Sequence, residues 1–406
     1  MKRVLMVQPS LNPPGGGNSV AAWMIEALKG RHQVTLLTWE TPRLEAINRF
    51  YGTSLQPSDF ELRLMPRLVH AIARRTPTPM ELLKDCYLLL RCRRLAPRFD
   101  VVISANNEVD VGPRGIQYIH YPKLSMRPEV DLRWYHRVPV VVDAYRWMSL
   151  RMMGFSVERM RRNISVVNSD FIGARTRALH GVETITLYPP IVGDFTAVPW
   201  EQREDGFVCV GRISPEKRLE RIIEILSMVR ENGRMLHLHV IGTSDDDRYT
   251  PLIKACVEAN RSWISIHENL PRQDLAQLVT RHRYGIHAMD EEHFGIAVAE
   301  MVRAGCIVFA PNSGGPVQIL GGEQRLLYGS VEDAAQKIQL TMDNPQRQKD
   351  LRDCLAARCT LFSAERFVSE FRELVQEFES IASYLRSYRI TTMGESGLRI
   401  GGSDRL

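Results

Sequence analysis

The sequence predicts two α/β domains in tandem, each a parallel sheet covered by helices, and three observations carry that expectation. At 406 residues the chain is longer than one ordinary core and suits two domains of about 100–200 residues. Short β-branched or aliphatic runs alternate with helical segments in two successive series, the pattern of parallel sheets with helical crossovers. Between the series, Tyr188-Pro189-Pro190 and the polar, poorly periodic stretch from Gly193 to Asp205 mark a linker.

The first series comprises Arg3–Val7, Val34–Thr38, Val101–Ser104, Ile116–His120, Ile164–Asn168 and Ile185–Tyr188. The second comprises Phe207–Val210, Leu236–Ile241, Ile264–His267, Tyr284–Ala288 and Ile307–Ala310, separated by amphipathic segments such as Leu219–Arg230. The expected units are therefore a domain over 1–193 and a domain over 205–362, both Rossmann-like, with a ligand in the cleft at the carboxyl ends of the strands. Ser363 is placed to cap a further helix, in which Phe367, Phe371, Leu374 and Phe378 recur at helical spacing. This helix, over about 364–388, is expected to cross back onto the first domain. From Thr391 to Leu406 periodicity is lost and a loose tail is expected.

Composition narrows the class. Hydrophobic residues at 44% and charged residues at 25% are ordinary globular values. The seven cysteines are odd in number and scattered, with no CxxC pair, so reduced, mostly buried thiols are expected rather than disulfides or a zinc knuckle. No apolar run is long enough to span a bilayer, and the N-terminus passes within ten residues into Pro9 and a Gly-rich stretch, so neither a spanning helix nor a secretory leader is expected and a cytosolic location is. Net charge is +6, and the excess sits in the first half: Glu61 to Arg98 holds nine Arg and Lys against three acids, and Asp131 to Arg162 seven against three. Such an excess suits nucleic acid, anionic lipid or a phosphorylated ligand; the motifs favour the last two, and no nucleic-acid partner is expected.

Gly211-Arg212-Ile213-Ser214-Pro215-Glu216-Lys217 follows a strand and precedes a helix, which delivers two cations to the carboxyl edge of the second sheet. Arginine supplies a bidentate fork and lysine a point charge, a combination suited to a diphosphate leaving group. Taken alone, two such cations in a loop are more often solvated surface charges. The stronger element is Glu292-His293-Phe294-Gly295-Ile296-Ala297-Val298-Ala299-Glu300. Its two carboxylates, one in a turn and one in the helix that follows, can grip two hydroxyl-bearing parts of one ligand, while Gly295 allows close backbone approach and the helix start attracts phosphate. An acidic helix start is also favoured by the helix dipole alone, but that does not account for the cationic turn in the same domain.

Together these motifs resemble the retaining glycosyltransferases of family 4, which share the GT-B fold of two facing Rossmann-like domains around a deep cleft. The resemblance implies that Arg212 and Lys217 bind the donor diphosphate, Glu292 the hydroxyls of the transferred sugar and Glu300 the ribose, with His293, Phe294, Gly295 and Ile296 lining the donor site. Tyr118-Ile119-His120-Tyr121-Pro122, Val167-Asn168-Ser169, His287-Ala288-Met289 and Asn312-Ser313-Gly314-Gly315-Pro316 extend it towards the α-1,2-mannosyltransferases of lipid-linked oligosaccharide assembly. That implies GDP-mannose as donor, with a UDP-sugar as runner-up, and a saccharide or lipid-linked acceptor. Two features depart from the pattern: the amino-terminal membrane segment of the eukaryotic enzymes is not seen, and Gln318 stands where many relatives carry an acid.

Pro13-Pro14-Gly15-Gly16-Gly17-Asn18-Ser19 lies between the first strand and the first helix. It lacks both the Gly-Lys-Ser/Thr of a Walker loop and the GxGxxG spacing of dinucleotide binders, and the resemblance assigns Gly16 and Gly17 to the donor–acceptor junction. His120, at a strand end, points towards the same cleft and is expected to touch the donor sugar or the reacting centre. Asp245-Asp246-Asp247 imitates a metal-binding DxD, but its setting marks a solvated loop. His237 and His239 share one strand face with no third ligand near in sequence, so no metal and no cofactor are expected.

The sequence offers no obvious second catalytic carboxylate to serve as a nucleophile, so the front-face transfer that the resemblance implies, in which the leaving phosphate helps deprotonate the acceptor, is expected. An epimerase on the same scaffold and a non-catalytic nucleotide-sugar binder are the alternatives, since fold alone separates none of them. A last expectation concerns the membrane. Trp134, Tyr135, Tyr145, Trp147, Met148, Met152, Met153 and Phe155 are interleaved with Arg137, Arg146, Arg151, Arg159, Arg161 and Arg162, a composition suited to peripheral docking on an anionic bilayer. Burial of the same aromatics in the first domain is the competing reading.

Overall fold

The computed structural model describes residues 1–13, 15–66, 81–126, 139–193, 195–244, 246 and 248–396. In the first domain the strands β1 (Arg3–Val7), β2 (Gln33–Thr38), β3 (Phe60–Leu64), β4 (Val101–Ser104), β5 (Ile116–Ile119), β6 (Ile164–Val167) and β7 (Thr184–Thr186) form one parallel sheet in the order β3-β2-β1-β4-β5-β6-β7. In the second, β8 (Glu204–Val210), β9 (Leu238–Gly242), β10 (Ile264–Glu268), β11 (His282–Ile286), β12 (Ile307–Pro311) and β13 (Leu327–Tyr328) form another, ordered β10-β9-β8-β11-β12-β13. The two Rossmann-like domains are as expected. Strand order reverses beside β1 and β4 in one sheet and beside β8 and β11 in the other, and ligands of doubly wound sheets bind at such switch points.

Two strands escaped the sequence reading. β3 is an edge strand whose residues are mostly exposed, and β13 has only two residues, so neither carries a hydrophobic run. The helix Ala364–Ser396 does pack back on the first domain, where Phe367, Phe371, Leu374, Val375 and Phe378 join the core with Val20, Met24 and Leu28. Arg372 Nε donates to the Ala27 carbonyl over 2.7 Å. The helix continues past residue 391, where a loose tail was expected, to Ser396; 397–406 lie outside the described residues. Cys86, Cys92, Cys209 and Cys306 are buried free thiols and Cys256 is exposed.

Across the cleft the domains meet directly. Tyr121, just after β5, stacks on His293 with ring centroids 4.6 Å apart and planes 17° from parallel. Ser169 Oγ donates to the His293 carbonyl over 2.5 Å, and Arg175 pairs with Glu291 at 2.7 Å. Gln318 explains its own departure from an acid: its Oε1 accepts from the Asp170 backbone N–H over 2.6 Å while its Nε2 donates to the Asp170 carboxylate and to the Tyr188 hydroxyl. A glutamate there would lack the donor and would face Asp170 with like charge.

Gln318→Glu is therefore expected to weaken closure by roughly 1.5–3 kcal/mol, the cost of a lost hydrogen bond to a charged group. Small-angle scattering should register a larger radius of gyration with an unchanged melting temperature for each domain. A profile superimposable on that of the parent chain would show that this clip carries no closure energy.

Candidate functional site

The loops after β8 and β11 build one half of the site. Gly211 crosses over β9 so closely that a Cβ on Gly242 would lie 1.8 Å from the Gly211 carbonyl oxygen; only glycine fits there. The chain then turns through Pro215–Lys217 and sends Lys217 inward, where its Nζ meets Glu292 Oε2 at 2.5 Å and Met289 Sδ at 3.3 Å. His287 Nε2 lies 3.4 Å from the same carboxylate oxygen. Burial alone would raise the Glu292 carboxyl, but Lys217 and His287 overcome it and hold the group well below the usual carboxylate range. Burial also pushes His287 down, with the Glu292 contact opposing it. Arg212 stays at the rim, more than half exposed, with Glu216 at 2.9 Å.

Glu292 is oriented by two loops that touch backbone to backbone. Gly295 caps the helix Ile296–Arg303 with a φ of 100°. The Gly315 N–H donates to the Glu292 carbonyl over 2.7 Å, and Ser313 Oγ accepts from the Glu291 N–H over 3.0 Å. A Cβ on Gly314 or Gly315 would lie 2.4 Å from the carbonyl oxygen of Glu292 or Phe294 respectively. Phe294 is buried between Tyr188 and Phe362; its side chain anchors the loop, so its backbone is what it can offer a ligand. Glu300 is buried on the following helix and accepts from Arg272 over 2.5 Å, while Arg272 also donates to the Val192 carbonyl over 2.7 Å.

The first domain supplies the opposing wall. Gly17 faces the His120 ring, with space for a Cβ only 3.3 Å from Nε2, and a Cβ on Gly16 would lie 2.4 Å from Ile296 Cδ1. The two glycines thus let the first helix approach both His120 and the second domain. The His120 Nε2–H donates to the Ala105 carbonyl over 3.2 Å. Burial, with a lesser contribution from nearby His293, pushes the imidazole down to about 4, so at neutral pH it acts as an uncharged group. Asn107, with φ of 64°, orients it by accepting from the His120 and Tyr121 backbone N–H groups over 3.0 and 2.9 Å.

The structure thus gathers His120, Gly16, Gly17, His293 and Ile296 at one junction, sets Lys217 and Glu292 in contact, and places Glu300 in a separate pair with Arg272. Asn107 was not singled out by sequence, because a left-handed loop residue whose side chain caps a distant strand end leaves no periodic signal. Nor was Glu108, fully buried beside it and pushed up to about 7 by burial. Asp246 accepts from the Arg248 and Tyr249 N–H groups at the start of a helix; Asp245 and Asp247 lie outside the described residues, as does Pro14.

Residues 194–354 match the family model described as glycosyl transferases group 1. The chain is 26% identical over 237 residues to the GDP-Man:Man(3)GlcNAc(2)-PP-Dol alpha-1,2-mannosyltransferase of Candida glabrata, covering 53% of this chain and 41% of that protein. It is 27% identical over 238 residues to the human protein of the same name, covering 53% and 48%. The chain therefore spans less than half the length of these curated relatives. Among solved structures, the Anabaena HepE protein in complex with UDP and glucose superposes with a TM-score of 0.64 at 13% identity, over 93% of this chain and all of that one. Sucrose-phosphate synthase from Thermosynechococcus elongatus superposes with a TM-score of 0.67 at 14% identity, over 94% and 100%. The chain has the GT-B fold, and residues 194–354, which hold its second sheet, are the part similar to the glycosyl transferases group 1 family.

Proposed function

We propose that this chain is a retaining glycosyltransferase that moves mannose from GDP-mannose to a lipid-linked saccharide. The observation that carries the reading is the partly buried Lys217–Glu292 pair at the switch point of the second sheet, beside the loop whose His293 and Ile296 meet Tyr121 and Gly16 of the first domain. In that reading Lys217 and Arg212 neutralise the departing diphosphate, an electrostatic role worth several kcal/mol in a water-excluded site. Glu292 accepts hydrogen bonds from sugar hydroxyls, and Glu300 exchanges part of its bond to Arg272 for the ribose. Uncharged His120 contacts the donor sugar from the acceptor side. The names of the mannosyltransferase relatives support the donor; the UDP bound in the HepE structure favours a UDP-sugar as the second reading. No metal is called on for the transfer step.

The acceptor half of the proposal places the first domain on an anionic membrane. Along the helix Pro139–Met153, Val140, Val141, Trp147, Met148 and Met152 are exposed, and they recur at helical spacing on one side. Arg151 lies over the Trp147 ring at 5.8 Å. Other members of the expected surface are spoken for: Met153 is buried, Phe155 packs on the core, the Tyr145 hydroxyl accepts from the Leu83 N–H, and Arg159 binds buried Asp110. Trp134, Tyr135 and Arg137 lie outside the described residues. Among the described residues no helix is long and apolar enough to cross a membrane, so the docking proposed is peripheral.

Donor identity is tested by thermal shift with GDP, UDP and ADP, since preferential binding to the native state raises its melting temperature. Stabilisation by GDP is expected; stabilisation by UDP alone would transfer the proposal to a UDP-sugar. Arg212→Ala should reduce kcat/KM by roughly 10²–10³ without loss of stability, because its side chain is mostly exposed. Lys217→Ala should lose activity and stability together by stranding the Glu292 carboxylate, and adding Glu292→Gln should restore stability alone. His120→Ala should depress kcat more than donor affinity, and because the imidazole is already neutral above about pH 5, the parent rate should show no inflection from this group between pH 6 and 8. Membrane docking predicts flotation with anionic liposomes at low salt, weakened at high salt and abolished by Trp147→Glu with Met152→Glu.

A further inference from the structure

A second cluster of chemistry-bearing side chains lies far from the cleft. His237 immediately precedes β9, while Glu204 and His282 open β8 and β11; these are the amino ends of the strands whose carboxyl ends carry Lys217 and Glu292. His239, two residues further along β9, shares the His237 face. The four rings of His237, His239, His267 and His282 form one group, with neighbouring centroids 4.7–5.2 Å apart.

The group is built rather than incidental. Between His282↔Glu204 and Tyr284↔Phe207 the register slips, so β8 carries one residue more than β11, a β-bulge of the kind that re-aims side chains. The bulged segment contains Gly206, where a Cβ would lie 2.2 Å from His237 Nε2; any other residue would displace that ring. The absent side chain lets His237 reach across β8 to His282, with Nε2 to Nε2 at 2.9 Å. His282 Nδ1–H donates to the Leu278 carbonyl over 2.7 Å, which fixes its tautomer and leaves the Nε2 lone pair facing the cluster, the arrangement by which metal-ligating histidines are oriented.

One potential ligand atom from each of His237, His239 and His282 lies within 4.8 Å of the others. The Glu204 carboxylate adds a fourth, 3.4 Å from His237 Nε2 and 3.9 Å from His282 Nε2. Four ligands at tetrahedral zinc stand about 3.3 Å apart, given zinc–nitrogen bonds of about 2.0–2.1 Å, so small side-chain movements suffice.

We propose that His237, His239, His282 and Glu204 bind a divalent zinc ion that ties β8, β9 and β11 together at the edge of the sheet remote from the cleft. On binding, His237 carries its remaining ring proton on Nδ1, so each histidine presents one lone pair and Glu204 one carboxylate oxygen. The third histidine comes from 45 residues beyond His237, which is why the sequence showed only a pair and no metal was expected. The site is structural: it touches none of the residues proposed to hold the donor.

The test uses the full chain without an affinity tag, stripped with a chelator and titrated with Co2+ and Zn2+ alone. Visible bands of tetrahedral Co2+ should appear, saturate at one equivalent and be displaced by Zn2+. Zn2+ should raise the melting temperature. Glu204→Gln, at a half-exposed position, and His237→Gln should each weaken binding by at least the roughly 10–100-fold that losing a mere outer-shell partner costs. An absence of tetrahedral bands in the parent chain, or undiminished affinity in both variants, would overturn the proposal. Either result leaves the transferase reading to its own nucleotide tests.

Discussion

Two loops of the second domain touch through bare backbone, and the rest of the site follows from that contact. Gly314 and Gly315 sit against the carbonyls of Glu292 and Phe294 with no room for a side chain. The contact fixes the turn after β11, which in turn presents Glu292 to Lys217 and buries Phe294 against Tyr188 and Phe362. The same segment runs on into Pro316 and Gln318, so the residue that clips the first domain is positioned by the residues that hold the carboxylate. Orientation of the Glu292 carboxylate and closure of the cleft are thus consequences of a single close approach.

Electrostatics completes what packing begins. A carboxylate as enclosed as Glu292 is stable in its charged form only because Lys217 and His287 face it, and breaking such a pair costs more than forming it yields. Before a ligand arrives, the cations and carboxylates of this half satisfy one another: Lys217 with Glu292, Arg212 with Glu216, Arg272 with Glu300. A phosphorylated sugar would enter a site whose charges are already oriented, and binding would redistribute partners rather than desolvate isolated ions.

Much of this was legible in the sequence, and the parts that were not share a cause. Alternating aliphatic runs marked both sheets because buried parallel strands are nearly uniform in hydrophobicity, whereas β3 and β13, exposed or very short, carried no such mark. Lys217 and Glu292 could be singled out because their loops join strands to helices at the ligand-binding edge. Asn107 and Gln318 could not be given roles, since what each does depends on a partner across a strand end or across the cleft. The histidine cluster shows the same limit: His237 and His239 were visible as a pair, but His282 and the bulge at Gly206 come together only in the folded sheet.

The helix Ala364–Ser396 follows the second domain in sequence yet supplies Phe367, Phe371 and Phe378 to the core of the first. The second domain is in effect an insertion within the first, and the backbone crosses between them twice, near Ile191 and near Phe362. Those crossings are themselves joined, the Ile191 N–H donating to the Phe362 carbonyl over 2.8 Å. Two adjacent tethers define an axle: they permit rotation about the line between them but resist twist and separation, so opening and closing of the cleft is confined to a single degree of freedom. The same connectivity sets an order of assembly during synthesis, since the first domain cannot finish its core until the last helix has left the ribosome.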